Sequence, residues 1–313
     1  MDHLDRLIEL ALDEDLGAAG DVTTLALVPE DAVGKATLLV KESLVLSGMD
    51  AFIRVFKRVD PSIQISVLVE DGSEVKAGTV VAKLTGPLRG LLIAERTALN
   101  IIQRTSGVAT LSREAAAAVR GSGLRVLDTR KTAPGMRGIS KIAVRTGGAT
   151  NHRFGLFDGV LIKDNHIAAV GGSIKEALRR AHAEAPRLVK VEIEVTNLKQ
   201  LAEAIEGGAD VVMLDNMDDA MIARAVELTA GRVPLEVSGG ITLERLPRLA
   251  KLGVDFVSMG ALTHSARAMD LSLEIETVKG KGGAKRATKA GAKKPAGARA
   301  TGAKRTGTRP GTR

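Results

Sequence analysis

From about residue 120 onward, six short apolar runs alternate with amphipathic stretches, and few architectures accommodate that pattern. The runs fall at 124–127, 159–162, 188–195, 210–214, 233–237 and 254–258, with helical spacing at 173–185, 197–206 and 243–252 between them. Strand–helix alternation at this interval predicts parallel strands joined by right-handed crossovers. No Gly-x-Gly-x-x-Gly follows any of the strands, which favours an α/β barrel of about six strands over a dinucleotide-binding sheet.

The first 110 residues have a different rhythm. Leu4, Leu7, Ile8, Leu10 and Ala11 have helical spacing that Gly17 ends, and β-rich runs follow at 35–40, 63–69 and 79–84. A helix at 49–59 and another at about 91–103 complete the segment, and 71–78 has turn chemistry between two strands. The expected fold class is α/β: an α+β open-faced sandwich over 1–110, an incomplete barrel over 111–264, and 265–278 packing back on the sandwich.

Charge separates the chain again. Residues 279–313 carry twelve Lys or Arg, no acid and no large apolar side chain, which leaves 33 basic against 37 acidic residues for 1–278. That basic tail is expected to be disordered, since it has nothing to bury against its chain entropy. It reads either as a non-specific polyanion clamp or as a solubilising extension. The absence of cysteine excludes disulfides, thiolate metal sites and cysteine nucleophiles. No stretch approaches a membrane span, and the acidic, amphipathic start does not resemble a secretory signal, so a cytoplasmic protein is expected.

In a barrel, reactive groups gather where strands run into the following loops. All six strand ends here are polar or glycine-rich: Asp128-Thr129-Arg130-Lys131-Thr132, Lys163-Asp164-Asn165-His166, Glu192 and Glu194, Asp215-Asn216, Ser238-Gly239-Gly240, and Ser258-Met259-Gly260. One such end is an ordinary solvated loop, whereas six predict a shared site. Ser238-Gly239-Gly240 and Gly260 would expose backbone N–H groups to an anion such as phosphate. Arg96, Arg130, Lys131, Arg145, His152, Arg153 and Lys163 form a cationic set facing Glu194 and Asp215. That balance suits a strongly anionic ligand, with the carboxylates either ligating Mg²⁺ or accepting hydrogen bonds from a ribose. Structural Arg–Glu pairing across the mouth is the plainer alternative.

Longer motifs stand in order along the chain. They include Glu95-Arg96-Thr97-Ala98-Leu99-Asn100, Ser106-Gly107-Val108-Ala109-Thr110, Ala143-Val144-Arg145-Thr146-Gly147-Gly148, Asn151-His152-Arg153, Leu214-Asp215-Asn216 and Gly260-Ala261-Leu262-Thr263-His264-Ser265. With the strand-end motifs above, the chain from Gly20 to about Glu276 closely resembles the quinolinate phosphoribosyltransferase family. The resemblance implies a decarboxylating pentosyltransferase of NAD biosynthesis that uses quinolinate, phosphoribosyl pyrophosphate and Mg²⁺. By similarity Arg130, Lys131, His152, Arg153 and Lys163 hold quinolinate and the phosphates, and Arg96 comes from a second subunit of an obligate homodimer. Glu194 and Asp215 face the ribose hydroxyls and Mg²⁺, while Ser238, Gly239, Gly260 and His264 seat the 5-phosphate. Lys131, Glu194 and Asp215 are the implied catalytic set.

Glu236 is one departure, since small residues often precede the serine in this family. It either faces the phosphate with Ser238 or is turned away by a bulge. Among competing functions, a nicotinate-type phosphoribosyltransferase is disfavoured by the paired Arg-Lys and His-Arg motifs, which suit a dicarboxylate. A nucleic-acid-binding protein is disfavoured by the net-negative folded part and its scarcity of aromatic rings.

Overall fold

The alternation at the start of the chain becomes an antiparallel sheet with one face covered. In the computed structural model, which describes residues 3–278, helices α1 (His3–Leu16) and α2 (Val22–Leu27) precede strands β1 (Val33–Val40) and β2 (Leu44–Val45). Helix α3 (Met49–Val59), strands β3 (Gln64–Val67), β4 (Glu74–Val75) and β5 (Val80–Pro87), and helix α4 (Leu88–Ala118) follow. In β1, Gly34, Ala36, Leu38 and Val40 are buried in alternation, as a half-covered strand requires. Their cover includes Met49, Phe52, Val55 and Phe56, spaced to share one face of α3. Each fully buried Phe contributes roughly 1.5–3 kcal/mol, so Phe52 and Phe56 alone approach the scale of a domain's net stability.

The turn at 71–78 does more than connect. Asp71 accepts hydrogen bonds from the N–H groups of Gly48 (2.9 Å) and Met49 (3.2 Å) at the start of α3, and Glu74–Val75 pairs with Leu44–Val45 as a separate small sheet.

Helix α4 corrects the sequence expectation most. It was expected to end near residue 103 but runs for 31 residues, through Ser106 and Gly107 and through the expected boundary at 110. Neither residue breaks it. Ser106 and Thr105 direct their hydroxyls to the Ser47 carbonyl, and Gly107 lets the Arg267 carbonyl approach so closely that a Cβ would collide with it.

The second half has the parallel sheet the alternation predicted. Its strands are β6 (Arg125–Leu127), β7 (Val160–Ile162), β8 (Val191–Val195), β9 (Val211–Asp215), β10 (Leu235–Ser238) and β11 (Phe256–Ser258), hydrogen-bonded in the order β6-β11-β10-β9-β8-β7. Helices α5 (Arg137–Thr146), α6 (Asp164–Ala169), α7 (Ile174–Glu184), α8 (Leu198–Glu206), α9 (Asp219–Thr229), α10 (Leu246–Leu249) and α11 (Ala261–His264) lie between and after them. Helix α10 is shorter than the expected 243–252. Pro247 sits in its first turn, and Leu243–Arg245 form a tight turn in which the Arg245 N–H donates to Thr242 O.

The sheet does not close directly between β6 and β7. Thr150 bridges to Leu127 beside β6, which places Asn151, His152 and Arg153 at that seam. Strand β12 (Leu271–Thr277) then returns to pair antiparallel with β1, so the first sheet has the order β12-β1-β5-β3. The basic tail, 279–313, lies outside the described residues. Among the described residues no helix is long and apolar enough to cross a membrane.

Candidate active site

At the C-terminal ends of the parallel strands is a cavity of about 350 Å³ whose lining includes Arg130, Lys131, His152, Arg153, Lys163, Glu236 and Ser238. Five of the six cations carried over by resemblance thus converge on one hollow. A second pocket of about 470 Å³ shares Lys131, Lys163 and Ser238 with it and adds Asp215, Gly239, Gly240, Gly260 and His264. The two pockets form one continuous mouth with two differently built ends.

The cationic end stands on a buried polar frame. Asp128, at the end of β6, is fully buried and accepts from Lys141 Nζ (2.5 Å), Asn151 Nδ2 (2.7 Å) and the His152 N–H (2.8 Å). Lys141 also donates to the His152 carbonyl at 2.9 Å, so both faces of residue 152's backbone are held. Burial lowers the Lys141 pKa, opposed by its hydrogen bond to Asp128. Arg153 donates from Nη1 to Gly159 O at 2.8 Å, and burial together with the charge of Arg130 lowers its pKa. Thr263 donates to Lys131 O at 2.7 Å, fastening that loop to α11.

The floor is acidic, and the position of Glu236 is now plain. It points into the cavity with Ser238, buried, beside Glu192. His152 Nδ1 accepts from the Arg153 N–H at 2.7 Å, which leaves Nε2 as the proton-bearing nitrogen, 3.1 Å from Glu192 and 3.6 Å from Glu236. Burial depresses the imidazole pKa, but Glu192's hydrogen bond and Glu236's charge outweigh it, and the balance is upward. Burial and the neighbouring charge of Glu192 push Glu236 up to about 8, with His152 opposing. Arg130 Nε, Glu192 Oε1 and Glu236 Oε1 are buried without a hydrogen-bond partner in the protein, so the cavity's polar lining is incomplete by itself.

Glu194, two residues beyond Glu192 on the same strand face, forms an ion pair with Lys163. Asp215 is half-buried and accepts from Asn216 Nδ2 at 2.7 Å. At the glycine end, Gly239 (φ +97°) and Gly240 (φ +58°) occupy left-handed backbone, and a Cβ on Gly239 would collide with the Asn216 side chain. His264 Nδ1 is 2.6 Å from Ser265 Oγ.

Two cations do not join the mouth. Arg96 is exposed on α4 and Arg145 on α5, and neither lines either pocket. Lys141 stands in none of the sequence motifs, while Glu192 and Asn151 stand in them without an assigned role. A lysine within the buried stripe Ile139, Ser140, Ala143 and Val144 of α5 is the signal that finds Lys141. Its pairing with Asp128, which heads the first strand-end motif, follows only from the assembled fold.

Comparison with known proteins gives the same outline. Residues 21–106 match the N-terminal domain, and residues 108–274 the C-terminal domain, described as quinolinate phosphoribosyl transferase. The chain is 42% identical over 277 residues to the probable nicotinate-nucleotide pyrophosphorylase [carboxylating] of Bacillus subtilis, covering 88% of this chain and 95% of that one. It is 42% identical over 295 residues to the chloroplastic protein of that name from Arabidopsis thaliana, covering 88% and 83%. Among solved structures, NadC from Streptococcus pyogenes superposes with a TM-score of 0.84 at 39% identity, covering 88% of this chain and 97% of that one. The nicotinate-nucleotide pyrophosphorylase of Francisella tularensis gives 0.82 at 42% identity, covering 88% and 96%.

Proposed function

The chain belongs to the quinolinate phosphoribosyltransferase family, and on that footing we propose how its residues divide the work. The reaction joins quinolinate to the ribose of phosphoribosyl pyrophosphate and yields nicotinate mononucleotide, pyrophosphate and CO₂. The observation that carries the division is the cationic cavity opening onto the glycine pocket. Arg130, Lys131, Arg153 and Lys163 there face a ligand with two carboxylates, and Arg forks match carboxylates in bidentate geometry. His152 contributes by holding the Arg153 backbone, and its remaining ring N–H is turned to Glu192. Ser238, Gly239, Gly260 and His264 take the 5-phosphate.

Departure of pyrophosphate leaves an oxocarbenium-like ribosyl centre, which Glu194 and Asp215 stabilise by charge. The pyridine nitrogen bonds to that centre. The positive nitrogen stabilises the electron pair left on the adjacent ring carbon when its carboxylate leaves as CO₂, and a proton from solvent completes that carbon. Lys131 and Lys163 offset the negative charge on the departing group. No covalent nucleophile is required, and positioning carries much of the rate. Mg²⁺, when bound, shields the pyrophosphate. The donors suit it: Asp215 lines the pocket, while Glu194 is engaged by Lys163, which favours contact through water or substrate oxygens.

A steady-state assay with quinolinate, phosphoribosyl pyrophosphate and Mg²⁺, beside one with nicotinate, tests this reading. CO₂ release matching pyrophosphate release is expected, and turnover of nicotinate alone would overturn it. Omitting Mg²⁺ should remove activity.

The proposal includes a homodimer in which Arg96 completes the partner's site. Its exposure on α4 supports this, as do the exposed Leu10, Leu25 and Leu27 on α1 and α2. Mixing Arg96→Ala with Lys131→Ala protein under subunit exchange should restore activity, because one site of each mixed dimer has both residues. Absence of recovery despite exchange would place Arg96 in its own chain's function. The basic tail is proposed to bind polyanions, with retention on heparin lost on truncation after Val278. A cytoplasmic location is proposed with it, and cell fractionation is the check.

A further inference from the structure

The glycine end of the mouth has a tether that its own residues do not supply. The loops after β9 and β10 meet where the Asn216 N–H donates to Ser238 O at 3.0 Å, with Asn216 itself at φ +53°. Gly239 and Gly240 follow, and among the described residues neither N–H has an acceptor within the protein. Two consecutive glycines have little conformational bias, so something outside them must fix where those N–H groups point.

Arg245, at the start of α10, is placed to do so. Its guanidinium donates from Nη2 to Met217 O at 2.9 Å and from Nη1 to Gly239 O at 3.4 Å. Nη2 and Nε also reach Asp219 Oδ1, at 2.9 and 3.1 Å, in the first turn of α9. One half-buried side chain therefore joins both loops to the helix that follows the first of them. A planar fork can satisfy acceptors on several sides at once, which an ammonium on a flexible stem does poorly. The peptide joining Gly239 to Gly240 is planar and trans, so a carbonyl turned toward Arg245 turns the Gly240 N–H the opposite way. Arg245 lines a hollow that adjoins the phosphate pocket through Asn216, Gly239, Gly240 and Thr242, while the phosphate pocket's own lining does not include Arg245.

We propose that Arg245 is a positioning residue for the phosphate end of the site, setting affinity for phosphoribosyl pyrophosphate without contacting it. This rests on the functional reading above. Because the cationic cavity has its own frame around Asp128, the effect should be confined to one substrate.

The experiment measures both KM values for wild type, Arg245→Lys and Arg245→Met, with a parallel calorimetric titration by ribose 5-phosphate. Arg245→Met should raise KM for phosphoribosyl pyrophosphate about tenfold or more, the scale of loss that follows small misplacement of binding groups. KM for quinolinate should stay within about twofold, Arg245→Lys should recover part of the loss, and the ribose 5-phosphate Kd should move in parallel. Unchanged values, or equal rises for both substrates, would overturn the proposal. If wild type does not turn over quinolinate, the functional reading fails, and the ribose 5-phosphate titration still decides the role of Arg245. Should Arg245→Met fail to fold, Asp219→Asn weakens the same tether and is held to the same outcomes.

Discussion

The two ends of the mouth are built in opposite ways for the anions proposed to bind there. The cavity end uses long charged side chains braced from behind by buried Asp128 and Lys141, above a floor of two carboxylates. On the proposed reading the phosphate end uses main-chain N–H groups on two glycines in left-handed backbone, and a Cβ on Gly239 would collide with Asn216. A planar dicarboxylate rewards forked partners at set angles, whereas a phosphate accepts from many directions and suits converging N–H groups. The first end should be damaged by removing atoms, and the second by adding them.

The largest break in that contrast should come from the frame. Lys141→Met leaves Asp128 buried without its counter-charge, and stranding one partner of a buried pair typically costs about 3–5 kcal/mol. Denaturant titration should show a loss on that scale, with quinolinate turnover abolished because residues 152 and 153 lose their support. A wild-type midpoint would show that the pair does not brace the cavity.

A paired comparison sharpens the point. Arg153→Ala removes the proposed charged contact to a substrate carboxylate, for which one-sided truncation costs on the order of 2–5 kcal/mol, and should raise KM for quinolinate or abolish turnover with the fold intact. Gly239→Ala adds one methyl at φ +97° against Asn216. Strain of that kind amounts to about 1–3 kcal/mol, and it should fall on KM for phosphoribosyl pyrophosphate. Identical profiles for the two variants would dissolve the distinction between the ends.

The smallest effect is a slope. Glu236 is held at about 8, above its ordinary carboxylate range, so its contribution to stability is complete below about pH 4.5 and is lost as pH rises through 8. Thermal melts between pH 5 and 8.5 should therefore show wild type losing stability with rising pH, and Glu236→Gln losing less. Parallel curves would mean that the floor carboxylates do not share their burden in this way.

Local signals explain what was legible. Helix α3 is found at the expected 49–59 because its apolar residues recur at helical spacing, and each parallel strand lies within its expected run or one residue past it. The strand-end cations were readable because a strand end is itself a local feature. Where causes are distant in sequence, the reading stopped short. Helix α4 continues past Gly107 for the sake of Ser47 and Arg267, neither near it in the chain. Arg145 sits in a motif as the site residues do, but it lies one turn beyond Lys141 on α5, exposed and outside both pockets. Glu192 and Glu236 come together only once β8 and β10 share a sheet, and His152 reaches both from a third segment.

The pairing of β12 with β1 has a consequence for how the protein is made. Translation proceeds at about 5–20 residues per second, and Leu271 emerges roughly 230 residues after its partner Val40. For about 10–50 s the outer edge of β1 is therefore an unpaired strand on a nascent chain, open to other strands until the last described segment closes it. A factor that shields strand edges would have that interval in which to act on β1, at the beginning of the message rather than its end.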